Sequence, residues 1–288
     1  MLNRTMITAS NSLGQIQQAL DVVSSNVANV DTNGYKRQVS NFSSLLYQNV
    51  NNQKNEGAEV GRLTPHGIRL GVGAKVSQVQ TQSTQGALIT TTRPLDIAFG
   101  KENQFLKVLA QDEFSSDVRY TRNGAMYVSP ITDGLAEGEI PDVMLTNASG
   151  YPILDENENM IIIPGYFKDF TFTPSGEMVV EMNDGSSQSI NLGIVEVQKP
   201  QFLQSYGENL VGLPQNMDAL NVNQEEILTE MTGELREQIS VNQGMLEKSN
   251  VSMADEMSEL IKLQRSYQFQ SRAVSIADQM LGLINGLR

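Results

Sequence analysis

Apolar residues recur along the first thirty positions without a break. Leu2, Met6, Ala9, Leu13, Ile16, Leu20, Val23, Val27 and Val30 are spaced alternately four and three apart. This stripe predicts one helix from Met1 to about Asn29, roughly 40 Å long at about 1.5 Å per residue. Asn11, Gln17, Gln18, Asp21 and Ser25 lie on the opposite face, polar but poorly charged. Ala28-Asn29 ends the pattern, and Asn33-Gly34 supplies turn chemistry. A stripe this narrow calls for a second helix to pack on it.

The other end of the chain supplies one. Ser252 is a helix cap with Asp255 three residues on, and Glu256 adds to a negative first turn. The pattern then runs to Asn285-Gly286, roughly 50 Å of helix. It carries two stripes. One is Leu260, Leu263, Tyr267, Val274, Ala277, Leu281 and Ile284, interrupted by Gln270. The other is Phe269, Ala273, Ile276, Met280, Leu283 and Leu287. Two adjacent stripes make a face wider than a single partner helix covers. The N-terminal helix covers one, and no remaining segment supplies a third helix. The candidate assembly residues are therefore Leu2, Met6, Leu13, Ile16, Leu20, Val23 and Val27 at one end. At the other they are Leu260, Leu263, Tyr267, Phe269, Val274, Ile276, Met280, Leu281 and Ile284.

Between the helices the pattern changes twice. Residues 46–83 are rich in Asn, Gln and Gly, bury too little apolar surface to order themselves, and read as an extended arm. From 84 to 204 short apolar runs alternate with Gly and Pro. The expected strands are Leu95–Phe99, Phe105–Leu109, Ala125–Val128, Val143–Leu145, Met160–Ile163, Phe170–Thr173, Met178–Met182, Ser189–Leu192 and Gly193–Val197. Asp184-Gly185 is a hairpin signal between two of them. Residues 205–243 turn polar again and read as a return arm. The expected fold class is α+β. A discontinuous, coiled-coil-like helical domain comes from 1–45 and 244–288, and arms at 46–83 and 205–243 join it to a central all-β domain at 84–204.

Composition narrows the function. The chain of 288 residues has 39% hydrophobic residues, 6% aromatics and no Trp, which fits a small core or one completed by other chains. A formal charge of −13 repels phosphate backbones and argues against nucleic-acid binding. With no Cys, disulfides and thiolate chemistry are excluded. No apolar run reaches the length of a membrane span. The start, Met1-Leu2-Asn3-Arg4-Thr5-Met6, lacks the apolar core of a secretory signal peptide.

Candidate chemistry is thin. His66 is the only histidine, which rules out a multi-histidine metal site. Asp155-Glu156-Asn157-Glu158-Asn159 opens like a calcium loop, but Met160 and Tyr166 stand where Gly and Glu belong. Gly71-Val72-Gly73 lacks the rest of a phosphate loop. Asp133, Glu137, Glu139 and Asp142 sit among Gly and Pro as a solvated loop would. The expectation is no catalytic site, no metal and no cofactor. A wall-active enzyme and an adhesin with helical ends stand as rival classes.

Three blocks carry a family resemblance. The first is Ser25 to Arg37, with Ala28, Asn29, Thr32, Gly34, Tyr35 and Lys36 in the signature positions. The second is Thr84 to Leu88, Pro94 to Ala98, Phe105 to Val108 and Tyr120 to Gly124. The third is Gln243 to Val251, Glu256-Met257, Leu260-Ile261, Gln264-Arg265-Ser266-Tyr267 and Ala277 to Met280. In these blocks the chain resembles the bacterial flagellar rod and hook proteins, most like the distal rod type. The resemblance implies a structural subunit that polymerises with itself through its terminal helices into a torque-transmitting tube. It also implies other rod and hook proteins as partners, a place in the flagellar basal body, and passage through the flagellar export apparatus without a cleaved signal. The run Phe99 to Leu106 has one Gly where the family commonly has Gly-x-Gly-Phe-Phe. A proximal rod, hook or rod–hook adaptor paralogue therefore stays open.

Overall fold

The structure is a computed structural model that describes residues 2–50, 68–71, 73–112, 115–131, 141–207, 209–214, 217 and 222–286. It is mixed helix and strand, with a long helix near each end and strands between. The chain divides into two units. A helical unit comprises residues 1–28, 38–80 and 252–288, and a β unit comprises 29–37 and 81–251.

In the helical unit, α1 spans Leu2–Ala28 and α2 spans Met253–Gly286. The end of α1 lies against the start of α2, because Asn26 donates a hydrogen bond to Glu256. The two helices therefore run antiparallel. Ala19, Val23 and Leu263 are buried in their seam, with Ile16, Leu20 and Leu260 packed around them. α2 opens with Asp255 and Glu256 in its first turn, where the helix dipole favours negative charge. Four strands follow α1: β1 (Gln38–Ser44), β2 (Tyr47–Val50), β3 (Ile68–Gly71) and β4 (Ala74–Thr81). They form two-stranded pairs, β1 with β4 and β2 with β3. Gln15 on α1 accepts a hydrogen bond from the Val76 N–H at 2.6 Å, tying β4 to the helix. Part of the stretch expected as the outgoing arm, residues 51–67 with His66, lies outside the described residues.

The β unit opens with β5 (Leu88–Thr90), β6 (Ile97–Phe99), β7 (Gln104–Asp112) and β8 (Ser115–Thr121). Then come β9 (Met126–Pro130), β10 (Val143–Asn147), β11 (Ile162–Ile163), β12 (Phe167–Phe172), β13 (Glu177–Met182), β14 (Ser187–Asn191) and β15 (Ile194–Val197). It closes with β16 (Gln204–Ser205), β17 (Leu210–Gly212), β18 (Leu228–Glu230), β19 (Val241–Gln243) and β20 (Met245–Glu247). The largest sheet has the order β16-β17-β8-β7-β15-β18 and is antiparallel throughout. β12-β13-β14 is a meander whose second turn is the Asp184-Gly185 hairpin, with Gly185 at φ +83. β9, β10 and β11 form the third sheet. Inward residues of all three, among them Leu106, Met126, Leu145, Phe170, Met178 and Ile194, share one core.

Two features of this unit place its functional residues. Residues 205–243, expected from their polarity to run as an arm, contribute β17 and β18 to the large sheet. Their apolar runs, such as Leu210-Val211 and Ile227-Leu228, are too short to show a period. The last strands also pair with the first: β19 with β6, and β20 with β5. Beginning and end of the unit are thereby zipped side by side.

Candidate assembly surface

On α1, Val23 is buried and Met6, Leu13, Ile16, Leu20 and Val27 are half-buried, while the side chain of Leu2 lies outside the described residues. On α2, Leu263 and Ala277 are buried and Leu260, Val274 and Leu281 are half-buried, with Leu260 and Leu263 packed against α1. Tyr267 and Ile284, expected on the same stripe, are exposed. The second stripe is open: Phe269 is 75% exposed, Leu283 70%, Ile276 55% and Met280 41%. Met253, Met257 and Ile261 extend the exposed apolar surface toward the start of α2. A contiguous run of large exposed apolar side chains is unusual on a monomer's surface.

The charge distribution separates the two units. By sequence, the β unit holds 11 Lys and Arg against 26 Asp and Glu, a balance of −15. The helical unit holds 9 against 7, a balance of +2. Bringing copies of the helices together therefore meets little electrostatic resistance.

The signature residues divide between two environments. Gln264 and Arg265 are exposed on α2, as is Ala28 at the end of α1. Asn29 and Thr32 shape the turn after α1. The Thr32 N–H donates to the Asn29 carbonyl, the Thr32 hydroxyl donates to Asn29 Oδ1, and the Tyr35 N–H donates to the Thr32 carbonyl. Gly34 and Lys36, by contrast, are buried around Glu247 at the end of β20.

That carboxylate is the centre of a clasp in the β unit. Glu247 Oε1 accepts from Lys36 Nζ at 2.6 Å and from the Gly86 N–H at 2.9 Å. Its Oε2 accepts from Arg122 Nε at 2.7 Å, and its backbone carbonyl accepts from the Gly34 N–H at 2.8 Å. Lys36 also donates to the Thr84 carbonyl, and Arg122 to the Gln104 carbonyl. The Arg122 guanidinium lies over the Phe99 and Phe105 rings at 5.2 and 5.9 Å. One residue beyond Lys36, the Arg37 N–H donates to Asn250, whose amide reaches the Gln82 and Thr84 carbonyls. Two glycines are obligatory here. Gly34 holds φ +72, and a Cβ on Gly86 would stand 1.9 Å from the Lys248 carbonyl oxygen.

The electrostatics follow from two cations sharing one anion. Burial works to raise the Glu247 carboxyl. The Arg122 charge and the hydrogen bonds from Lys36 and Gly86 outweigh it, so the group stays below the ordinary carboxylate range. Burial lowers Lys36, and Arg122 beside it adds repulsion, so its half-share of Glu247 does not restore the ordinary lysine value. Arg122 is lowered by burial as well. The effect of the clasp is to bind the segment after α1 to the strands that close the β unit.

Sequence reading singled out Gly34 and Lys36 but gave Arg122 and Glu247 no role. All three charges lie in short strings with a glycine close by, namely Gly34, Gly124 and Gly244, and read one at a time they look solvent-facing. Opposite charges repeated in Gly-marked blocks far apart in sequence were the available signal. Among the described residues no group of three or more His, Asp or Glu is placed to hold a metal, and no helix is long and apolar enough to cross a membrane. Asp133, Glu137 and Glu139 lie outside the described residues. Asp155 turns inward on its own loop, accepting from the N–H groups of Asn157 and Asn159.

Comparison with known proteins agrees with this picture at both ends. Residues 6–36 match the family model described as flagella basal body rod protein, and residues 242–287 match flagellar basal body rod FlgEFG protein C-terminal. The chain is 40% identical to the flagellar hook-basal body complex protein FlhP of Bacillus subtilis, over 99% of each chain. It is 30% identical to the flagellar basal-body rod protein FlgG of Borreliella burgdorferi, over 99% of this chain and 98% of that one. Against the FlgG of Bacillus subtilis it is 26% identical over 96% of each.

Proposed function

The chain belongs to the flagellar basal-body rod protein family, as a structural subunit of rod and hook type, and from that premise we propose how it assembles. Within the terminal segments, 1–45 and 244–288, the helices α1 and α2 form the polymerisation surface, and the strip from Phe269 to Ile284 on α2 packs on neighbouring copies. The observation that carries this reading is the exposure of that strip beside a seam where α1 already occupies the other face. Five such side chains are 41–75% exposed, so at about 1.5–3 kcal/mol for burying a fully exposed one they give roughly 4–9 kcal/mol per subunit. That is comparable with the ~4–15 kcal/mol that association costs in lost freedom. A single pair of copies is therefore weak, and a lattice in which each copy meets several others is strong. Contacts of this kind that do not close produce a helical tube.

The role is mechanical rather than catalytic: helices transmit torque along the axis, and other rod and hook proteins continue the structure above and below. The subunit reaches the basal body through the flagellar export apparatus, without a cleaved signal. Identity to the Bacillus subtilis FlhP, at 40%, exceeds that to the FlgG of the same organism, at 26%. This favours a rod or rod–hook paralogue beside the FlgG type over a copy of that type.

The test is the double substitution Phe269→Glu with Leu283→Glu, expressed in place of the normal protein. Both positions are exposed, so the monomer should melt at the wild-type temperature. The variant should be exported and then be missing from isolated hook–basal bodies. Incorporation at the normal level would refute the proposal.

A further inference from the structure

The seam between α1 and α2 has a weakness that its own pattern creates. The α1 stripe repeats every seven residues: Leu13 is followed by Leu20, Ile16 by Val23, Leu20 by Val27. Sliding α1 by seven residues along α2 would put a branched aliphatic at these three places again, with Ala9 and Ser12 where Ile16 and Ala19 had been. The branched positions alone therefore specify the register of this pair poorly. A polar contact lies at the end of the seam. Asn26 is 1% exposed and Glu256 0%. The Asn26 amide donates to Glu256 Oε2 at 3.1 Å and to the Gln38 carbonyl at 2.8 Å, and its oxygen accepts from the Gln38 N–H at 2.9 Å. Asn26 thus meets both backbone groups of Gln38 as a neighbouring strand would, while holding the first turn of α2.

We infer that the Asn26–Glu256 contact sets the register of α1 against α2, and through it which residues of α2 remain outward for neighbouring copies. The inference rests on the assembly reading above and names its specificity-determining pair. A slide of seven residues would keep these branched aliphatic contacts. It would, however, withdraw the Asn26 amide from Glu256, at the cost of a buried hydrogen bond. The contact also lies where the chain leaves the helical unit after Ala28 and re-enters it at Gln38, and close to its second return at Ser252. Register is therefore fixed at the point from which both helices extend. Apolar replacement at these two positions should keep the helices paired while freeing them to slide.

The chain contains no Cys, so introduced cysteines report without background. One reporter carries Leu20→Cys with Leu263→Cys, both in the native seam. The other carries Leu13→Cys with Leu263→Cys, one repeat away. Each is made in the wild-type background and in Asn26→Leu/Glu256→Leu, which keeps the space filled, and is cross-linked in isolated hook–basal bodies with a short bismaleimide. The expected result is cross-linking of the Leu20 reporter alone in the wild-type background, and of both reporters in the Leu/Leu background. If the Leu/Leu background still cross-links only the Leu20 reporter, the register inference is wrong and the assembly reading stands. If the wild-type Leu20 reporter is present in the basal bodies yet does not cross-link, the helix pair itself is absent there, and both readings fall.

Discussion

Glu247→Gln is the substitution to which the β unit should be most sensitive. It preserves size and shape but removes the buried negative charge bonded to both Lys36 and Arg122, whose side chains are 8% and 1% exposed. The glutamine oxygen can still accept from Lys36 Nζ and the Gly86 N–H, but its NH2 group must then point at the Arg122 guanidinium. Removing one partner of a buried pair costs about 3–5 kcal/mol, because the remaining charge stays buried without compensation. Here two cations are left, so the upper part of that range applies. Against a stability of about 5–15 kcal/mol the loss is large. With a urea m-value of about 2 kcal/mol/M, the unfolding midpoint of the full chain should fall by roughly 2 M. Circular dichroism in the strand region and tyrosine fluorescence should both report it. Replacing Lys36, Arg122 and Glu247 together with Met should recover most of the loss, since the desolvation of all three charges then disappears. A midpoint for Glu247→Gln within about 0.2 M of wild type would refute the clasp as a stabilising element.

Two further outcomes follow from the same geometry. Because folding holds the Glu247 carboxyl below its ordinary value of 4.5, its contribution is complete above that pH. It is lost as the pH falls through the lower folded value, where the native state also takes up the proton. Acid titration of the wild type should show this loss, and Glu247→Gln should show a shallower one. Truncation separates the two roles of the N-terminal segment. Removing residues 1–28 leaves Lys36 in place and should leave the β unit as stable as in the full chain. Removing 1–37 should cost about 3–5 kcal/mol more, read as a lower urea midpoint, because Glu247 loses a buried partner.

The long elements were legible because their patterns are long. Eight of the nine stripe positions fall within α1, and a Ser cap with two acids marks the start of α2 within a residue of Met253. The Asp184-Gly185 hairpin was legible from local turn chemistry alone. What was not legible depends on residues far apart meeting. β17 and β18 are three residues each, and only their places beside β8 and β15 make them strands. The pairing of β20 with β5 brings Glu247 beside Gly86, and nothing in either segment signals the other. Asn26 and Glu256 fell outside the apolar stripes, so periodicity gave them no place in the seam. The fold assigns them to the seam.

The central claim is that the outward strip of α2 is buried by neighbouring copies. An electron cryomicroscopy reconstruction of isolated hook–basal bodies, with side chains resolved on α2, tests it most directly. The account predicts Phe269, Ile276, Met280 and Leu283 enclosed by apolar side chains of adjacent subunits. The same four facing solvent or an open channel would contradict it.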